Sequence, residues 1–283
     1  MTQVLDIFAA TDVGLKRDHN EDHFLVSEKL GLYVVADGMG GHAAGEVASR
    51  TAVNTIEDFL GVAQTDRDFT WPFGVDRSLT EEENLLVTAI KLANREICLL
   101  AEERPEYHGM GTTIATLKVS ETHGLIAHVG DSRAYRLRNG ALDQITADHS
   151  WVNEQVARSV ITEEEARTHR WRNVITRALG NRDAIEVDLA KTDVLAGDAF
   201  LLCTDGLSGM VPNEGIHRVL GKAVTTPSKR LVRELIALAN DAGGIDNITV
   251  VVLRVLSPGP GGPKTRKRTR ATENADDETT LTL

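Results

Sequence analysis

Four aspartates, each set in a glycine-rich turn directly after an apolar, strand-forming run, constrain this chain more than any other feature: VVADGMGGH, HVGDSR, LLCTDGLSG and GGIDNITVVV. A single aspartate of this kind is a turn former or a cap. Strand ends converge at one edge of a sheet, however, so Asp37, Asp131, Asp205 and Asp246 are expected to gather in one cleft. Carboxylates at such distances repel one another, and cations are the expected counter-charge. Oxygen-only donors without a nearby cysteine or paired histidine favour Mg²⁺ or Mn²⁺ over zinc. Glycine after Asp37 and Asp205 lets backbone approach an ion, and the Gly38 carbonyl is a candidate ligand. Two such ions about 4 Å apart share a water, lower its pKa and clamp the oxygens of an in-line displacement at phosphorus. The chemistry implied is hydrolysis of a phosphate ester.

The stretches between these turns set the fold class. HFLVSE and LGLYVVAD read as strands around a short turn. From Gly45 to Leu60 the positions Val47, Ala48, Thr51, Ala52, Thr55, Ile56 and Phe59 fall at helical spacing. Thr80 with Glu83 forms a capping box that opens a second helix through Leu85, Leu86, Ile90, Ala93, Ile97 and Leu100. TTIATLKV, GLIAHVG and SRAYRLR follow as a meander, the last closed by the turn dipeptide Asn139-Gly140. Charged, weakly amphipathic sequence from about His149 to Leu179 interrupts the strands, and GDAFLLCTDG and NITVVVLRV restore them. Between these two, Thr226 is expected to cap a helix with Pro227 in its first turn, running through Leu231, Leu235, Ile236 and Ala239. Clustered strands and paired helices predict an α+β arrangement, an antiparallel sheet packed by helices.

Composition narrows the partners. With 41% hydrophobic residues among 283, a large core is expected, and a net charge of -11 argues against a general nucleic-acid binder. No window approaches the ~18 apolar residues needed to cross a bilayer, so no membrane span is expected and the protein is read as cytoplasmic. Cys98 and Cys203 sit in apolar segments and are expected as buried free thiols. From Ser257 the sequence becomes SPGPGGPKTRKRTRATENADDETTLTL, without apolar periodicity. Residues 1–256 are therefore read as the catalytic domain and 257–283 as a disordered tail.

Just before the first strand pair stands RDHNED. Arg17 presents a planar fork suited to two phosphate oxygens, and Glu21 and Asp22 are candidates to orient waters around the ions from a second layer.

RDHNED, DGMGGH, GMGTT, VGDSRAY, DHS, CTDGLSGMV and GIDNITVVV follow one another between about Asp12 and Leu253. In this order they resemble the type-2C metal-dependent phosphatases that act on phosphoserine and phosphothreonine in proteins, specifically the compact bacterial members. The resemblance implies an αββα fold, a β-sandwich flanked by helix pairs, with a flap subdomain at about 150–172. It implies two to three Mn²⁺ or Mg²⁺ ions: Asp37 bridging two, Gly38 giving its carbonyl, Asp205 and Asp246 completing the second, and Asp131 with Asp205 forming a weaker third site. Arg17 matches the phosphate-binding arginine, and Asn247 is read as support for the last turn. Animal members commonly carry a histidine where Met39 stands here, so the proton donor to the leaving group is not identified; His42 is one candidate. His149 and His169 border the flap, and His169 is a candidate substrate contact. Phosphorylated proteins are the implied substrates and a serine/threonine kinase the implied counterpart. Thr279 and Thr280, after Asp276, Asp277 and Glu278, are candidate phosphorylation sites for a phosphothreonine-binding partner. The alternative is a non-catalytic regulator that keeps the fold and binds phosphoproteins.

Overall fold

The computed structural model describes residues 4–41, 43–66, 69–120, 123–256 and 272–274. His42, Thr279 and Thr280 lie outside them, as does the expected tail apart from its three-residue strand.

Two antiparallel sheets stack face to face. The first contains β1 (Val4–Asp12), β7 (Arg133–Arg138), β8 (Ala141–Gln144), β10 (Ala199–Cys203), β11 (Ile248–Leu256) and the short β12 (Thr272–Asn274), in the order β12-β1-β11-β10-β7-β8. Only β12 runs parallel to its neighbour, beside Ala9–Thr11. The second contains β2 (Asp22–Ser27), β3 (Leu32–Met39), β5 (Ile114–Val119), β6 (His123–Val129) and β9 (Asp188–Asp193), in the order β2-β3-β5-β6-β9, with β4 (Gly111–Thr112) pairing the end of β3. Long helices α1 (Ala43–Thr65) and α2 (Glu81–Glu103) cover the outer face of the second sheet. The first sheet is covered by α5 (Asp205–Ser208), α6 (Asn213–Leu220) and α7 (Ser228–Asp241). Between β8 and β9 lies the flap segment, with α3 (Trp151–Ala157) and α4 (Glu163–Thr168).

The uninterrupted apolar runs follow from having both sheet faces covered. In β11, Ile248, Val250 and Val252 pack under the helices, whereas Val251, Leu253 and Val255 fill the gap between sheets. β3 alternates likewise: Leu32, Val34 and Ala36 face α1 and α2, while Tyr33 and Val35 face the other sheet. Each fully buried aliphatic or aromatic side chain contributes roughly 1.5–3 kcal/mol, so truncating Ile56 or Ile90 to alanine should cost about 2–5 kcal/mol.

Local signals act where the sequence places them. Thr80 and Glu83 form the capping box of α2, and Asn139 and Gly140 both take positive φ, at 51° and 80°, the geometry of a two-residue hairpin turn. Two readings need correction, and one strand is added. Thr226 does not cap α7; Pro227 occupies the cap position, with an extended ψ of 148°. The first turn is held instead by Asp6 of β1, whose side chain accepts the Ser228 N–H at 2.9 Å. Cys98 is only partly buried on α2, while Cys203 is fully buried and both are free. β9 is a strand that DLAKTD does not announce, being a charged edge strand with one partner, β6.

Candidate active site

The β3 alternation carries past Val35 to Asp37, which therefore faces the gap between the sheets at its open edge. Asp22 stands opposite Asp37 in the β2–β3 register. Asp131 follows β6 across Gly130, and Asp205 opens α5 directly after β10 and Thr204. Asp246 precedes β11 rather than following a strand. Because β11 runs antiparallel to β10, with Val250 opposite Cys203, its start lies beside the end of β10. Asp37, Asp131, Asp205 and Asp246 thus share one cleft, as expected, and Asp22 joins them as a fifth carboxylate.

Glycines bring the turns into contact. A Cβ on Gly206 would stand 1.9 Å from the Asn247 carbonyl oxygen, and one on Gly38 would stand 2.1 Å from that of Gly45 and 2.5 Å from that of Glu21. Asn247 fastens the loop bearing Arg17: its side-chain oxygen accepts the Glu21 N–H at 2.8 Å, and its amide donates to the Val13 and His19 carbonyls, each at 2.9 Å. Arg17 itself is half exposed and donates to Asp246 Oδ2 at 2.8 Å.

A buried set of hydroxyls supports the carboxylates. Thr204 Oγ1 donates to Asp22 Oδ2 at 2.8 Å and accepts the Thr249 N–H at 3.0 Å. Thr113 Oγ1 accepts the Asp37 N–H at 3.1 Å and lies 2.7 Å from Ser132 Oγ. None of these hydroxyls stood out in the sequence, although Thr113, Ser132 and Thr204 lie in the GMGTT, VGDSRAY and CTDGLSGMV segments.

The carboxylates are strained electrostatically. Burial, then repulsion from Asp22, Asp205, Asp131 and Asp246, pushes Asp37 well above the usual carboxylate range. Burial pushes Asp22 up to about 7 despite hydrogen bonds from Thr249 and Thr204, and Asp131 up to about 8 with help from Asp205 and Asp148. Burial and then Asp246 raise Asp205. Glu21 is raised by burial as well. Buried acceptors Glu21 Oε1, Asp131 Oδ1 and Asp205 Oδ1 have no hydrogen-bond partner. Orphaned acceptors of this kind are costly, and several gathered in an all-oxygen cluster are what a hard divalent cation satisfies. The donor set fits Mn²⁺ or Mg²⁺.

His169 stands in the flap, stacked on the Trp151 ring at 4.9 Å between centroids, with Nδ1 accepting the Trp171 N–H at 3.2 Å. His149 is buried at the flap base. Met39 occupies the end of β3 opposite Gly111, and its thioether has no proton to give.

Over residues 16–242 the chain matches the family described as Protein phosphatase 2C. It is 39% identical over 247 residues to the serine/threonine phosphatase stp of Listeria innocua, covering 86% of this chain and 93% of that protein. The crystal structure of the Mycobacterium tuberculosis serine/threonine phosphatase PstP/Ppp aligns with a TM-score of 0.78 at 37% identity, covering 90% of this chain and all of that one. A structure of the catalytic domain of the serine/threonine protein phosphatase PstP in complex with two manganese ions aligns with a TM-score of 0.75 at 38% identity, covering 90% of this chain and 100% of that one.

Proposed function

The chain belongs to the protein phosphatase 2C family and is a metal-dependent serine/threonine protein phosphatase, and from that premise we propose which of its residues carry the hydrolysis of phosphoserine and phosphothreonine. Asp37, the Gly38 carbonyl, Asp205 and Asp246 would hold two Mn²⁺ or Mg²⁺ ions, and Asp131 with Asp205 would hold a third more weakly. When bound, the ions supply a nucleophile from water at neutral pH and neutralise charge on the phosphoryl group.

The chain's own groups do the rest. Arg17 leaves Asp246 to bind two oxygens of the phosphate, the bidentate pairing that fixes the phosphorus in line. Glu21 and Asp22 orient solvent in the cleft, Asp22 being itself held by Thr204. The flap at 150–172, with His169 against Trp151 and Trp171, contacts the polypeptide around the phosphorylated residue. The observation that supports this reading best is the cluster of five raised or crowded carboxylates with orphaned acceptors beside one arginine fork.

Residues 1–256 form the catalytic domain and 257–283 a tail dispensable for turnover. A serine/threonine kinase supplies the phosphoproteins this enzyme reverses, in the cytoplasm; among the described residues no helix is long and apolar enough to cross a membrane. Thr279 or Thr280, once phosphorylated, is a ligand for an arginine-lined phosphothreonine reader or a substrate of the enzyme itself. The test is Mn²⁺-dependent release of phosphate from a phosphothreonine peptide and from p-nitrophenyl phosphate, abolished by EDTA. Hydrolysis of nucleotides or DNA in preference to the peptide would replace the reading with a different phosphohydrolase.

A further inference from the structure

Outside the carboxylate cleft, His128, His149 and Asp188 bring one potential ligand atom each within 4.8 Å of the others, a spacing that would suit a cation. The hydrogen bonds assign these atoms differently. The Gly130 backbone N–H donates to His149 Nδ1 at 3.0 Å. A backbone amide cannot accept, so Nδ1 carries no proton and the neutral ring holds its proton on Nε2. That N–H faces Asp188 Oδ2 at 3.3 Å; Arg177 Nη1 lies equally 3.3 Å from Nε2, but a guanidinium can only donate, so in this tautomer it is a neighbour and not a hydrogen-bond partner of the ring. His128 Nε2 meets the Ala147 carbonyl at 2.9 Å and must be its donor. Asp188 Oδ1 is taken by the Arg177 guanidinium, a fixed positive charge where a cation would sit. Only one free ring nitrogen remains, and the cluster is not a metal site.

Its connections instead lead to Asp131. His149 exchanges two bonds with Gly130, the second from its own N–H to the Gly130 carbonyl at 2.9 Å. Gly130 has a φ of +107°, and a Cβ there would stand 2.6 Å from the Thr113 side chain. It is therefore clamped between Thr113 on one side and His149 on the other, one residue before the orphaned Asp131 carboxylate. The far side of His149 ties the flap: its carbonyl accepts the Thr176 N–H at 2.8 Å, and Ser150, the next residue, caps α3 through the Asn153 N–H at 3.3 Å. The ring stacks on His128 at 4.6 Å, which fixes its plane. Burial, with His128 and Arg177 nearby, holds the ring below the usual imidazole range, in keeping with the neutral tautomer.

We propose that His149 is a positioning residue which, by accepting the Gly130 N–H at Nδ1, sets the Asp131 carboxylate for cation binding and joins that turn to the base of the flap. The proposal rests on Asp131 being a cation ligand, as inferred above. It assigns His149 no contact with substrate.

Mn²⁺ isothermal titration calorimetry of the full chain tests it with four variants. Asp131→Asn identifies the binding event that Asp131 contributes. His149→Phe keeps the stacking but loses the acceptor, and should weaken that event tenfold or more while leaving the tighter ones within about twofold. His149→Gln reaches toward the Nε2 position rather than Nδ1, so it should act like His149→Phe and serves if the phenylalanine variant does not fold. His149→Asn places an acceptor near the Nδ1 position and should stay within about threefold of wild type. A merely structural histidine would lower the melting temperature in all three His149 variants without moving the isotherm, and that result overturns the proposal. So does a Zn²⁺ binding event lost in His149→Asn, which would make the ring a ligand. If Asp131→Asn leaves the isotherm unchanged, the Asp131 assignment fails and takes the proposal with it. If Asp131→Asn acts but His149→Phe and His149→Gln do not, the proposal alone fails.

Discussion

Asp22 stands directly opposite Asp37 in the β2–β3 ladder, and both share the parity of Phe24, Val26, Tyr33 and Val35, whose side chains pack in the gap between the sheets. Like charges directly opposite one another destabilise a strand pair. Here the pair lies at the open edge of the sandwich, where Asp131, Asp205 and Asp246 add to the repulsion. The fold thus spends stability to hold a carboxylate cluster that only a cation or a proton can relieve.

That strain should be measurable as a pH-dependent gap between metal-free and metal-loaded protein. Asp22 is pushed up to about 7 and Asp131 up to about 8, against about 4 in an unfolded chain. The folded state binds these protons more tightly, so their stabilising effect is complete below about pH 4 and is lost as pH rises through 7 and 8. Mn²⁺ replaces the protons and stabilises the folded state by mass action. The difference in melting temperature between Mn²⁺-saturated and EDTA-treated protein should therefore widen steadily from pH 5.5 to 8.5. A constant gap over that range would show that the cluster does not hold these protons.

Asp205→Asn and Asp246→Asn keep side-chain shape but remove the ligand charge. Mutating even an outer-layer partner costs about 10–100-fold in metal affinity or activity, so each substitution should lower Mn²⁺-dependent turnover by at least about a hundredfold with the fold retained. Circular dichroism and phosphate release measured on the same samples check both halves. Undiminished turnover in Asp246→Asn would contradict the assignment of the two-ion site.

Arg17→Ala should lower kcat/KM on phosphopeptides by about ten- to a hundredfold, the equivalent of charge-assisted bonds worth roughly 1.5–3 kcal/mol. Arg17→Lys should recover only part of this, since an ammonium cannot reproduce the planar fork. Because Arg17 pairs with Asp246 across an exposed rim, Mn²⁺ affinity should hardly change in either variant. Calorimetry showing Mn²⁺ binding lost in Arg17→Ala would make the arginine a structural support of Asp246 instead.

The flap bears Trp151, His169 and Trp171 in one aromatic cluster. Shortening the segment between Glu154 and His169 should change the ratio of kcat/KM values among phosphopeptides severalfold more than it changes p-nitrophenyl phosphate turnover. Equal effects on both substrates would place the flap in the chemistry rather than in selection.

Much of the architecture was legible because its signals are local. The apolar run TVVVLRV, the Thr80 capping box and the Asn139-Gly140 turn each act within a few residues, and the four turn aspartates mark the cleft in which they gather. What escaped were features decided by distant partners. Charged β9 becomes a strand because β6 offers it an edge. Asp6 holds the first turn of α7 from 222 residues away, so the local appeal of Thr226 as a cap was overruled. Asp22 reads as one charge in a polar loop; only its pairing with Asp37 reveals a buried carboxylate. The hydroxyls of Thr113, Ser132 and Thr204 are invisible for the same reason, since nothing in their own segments shows what they hydrogen-bond.

Gly206 offers a test of how closely the two halves of the site must approach. It follows Asp205, it is buried, and a Cβ would stand 1.9 Å from the Asn247 carbonyl oxygen and 2.8 Å from that carbonyl carbon. Both are backbone atoms at the start of β11, so no side-chain rotation can make room; either α5 or the Asp246-Asn247 turn must shift. Gly206→Ala should therefore lower the melting temperature by roughly 2–12 °C, the range corresponding to about 1–3 kcal/mol of overpacking in a chain this size. It should also lower Mn²⁺ affinity, because the shift separates Asp205 from Asp246. Gly61→Ala is the control. Gly61 lies within α1 with nothing near its missing Cβ, so alanine there should stabilise the helix by about 0.5–1 kcal/mol and leave Mn²⁺ binding unchanged. If Gly206→Ala loses stability but binds Mn²⁺ as tightly as wild type, the contact between the two turns serves packing alone. If it loses affinity at a nearly unchanged melting temperature, the close approach exists chiefly to bring the two carboxylates together.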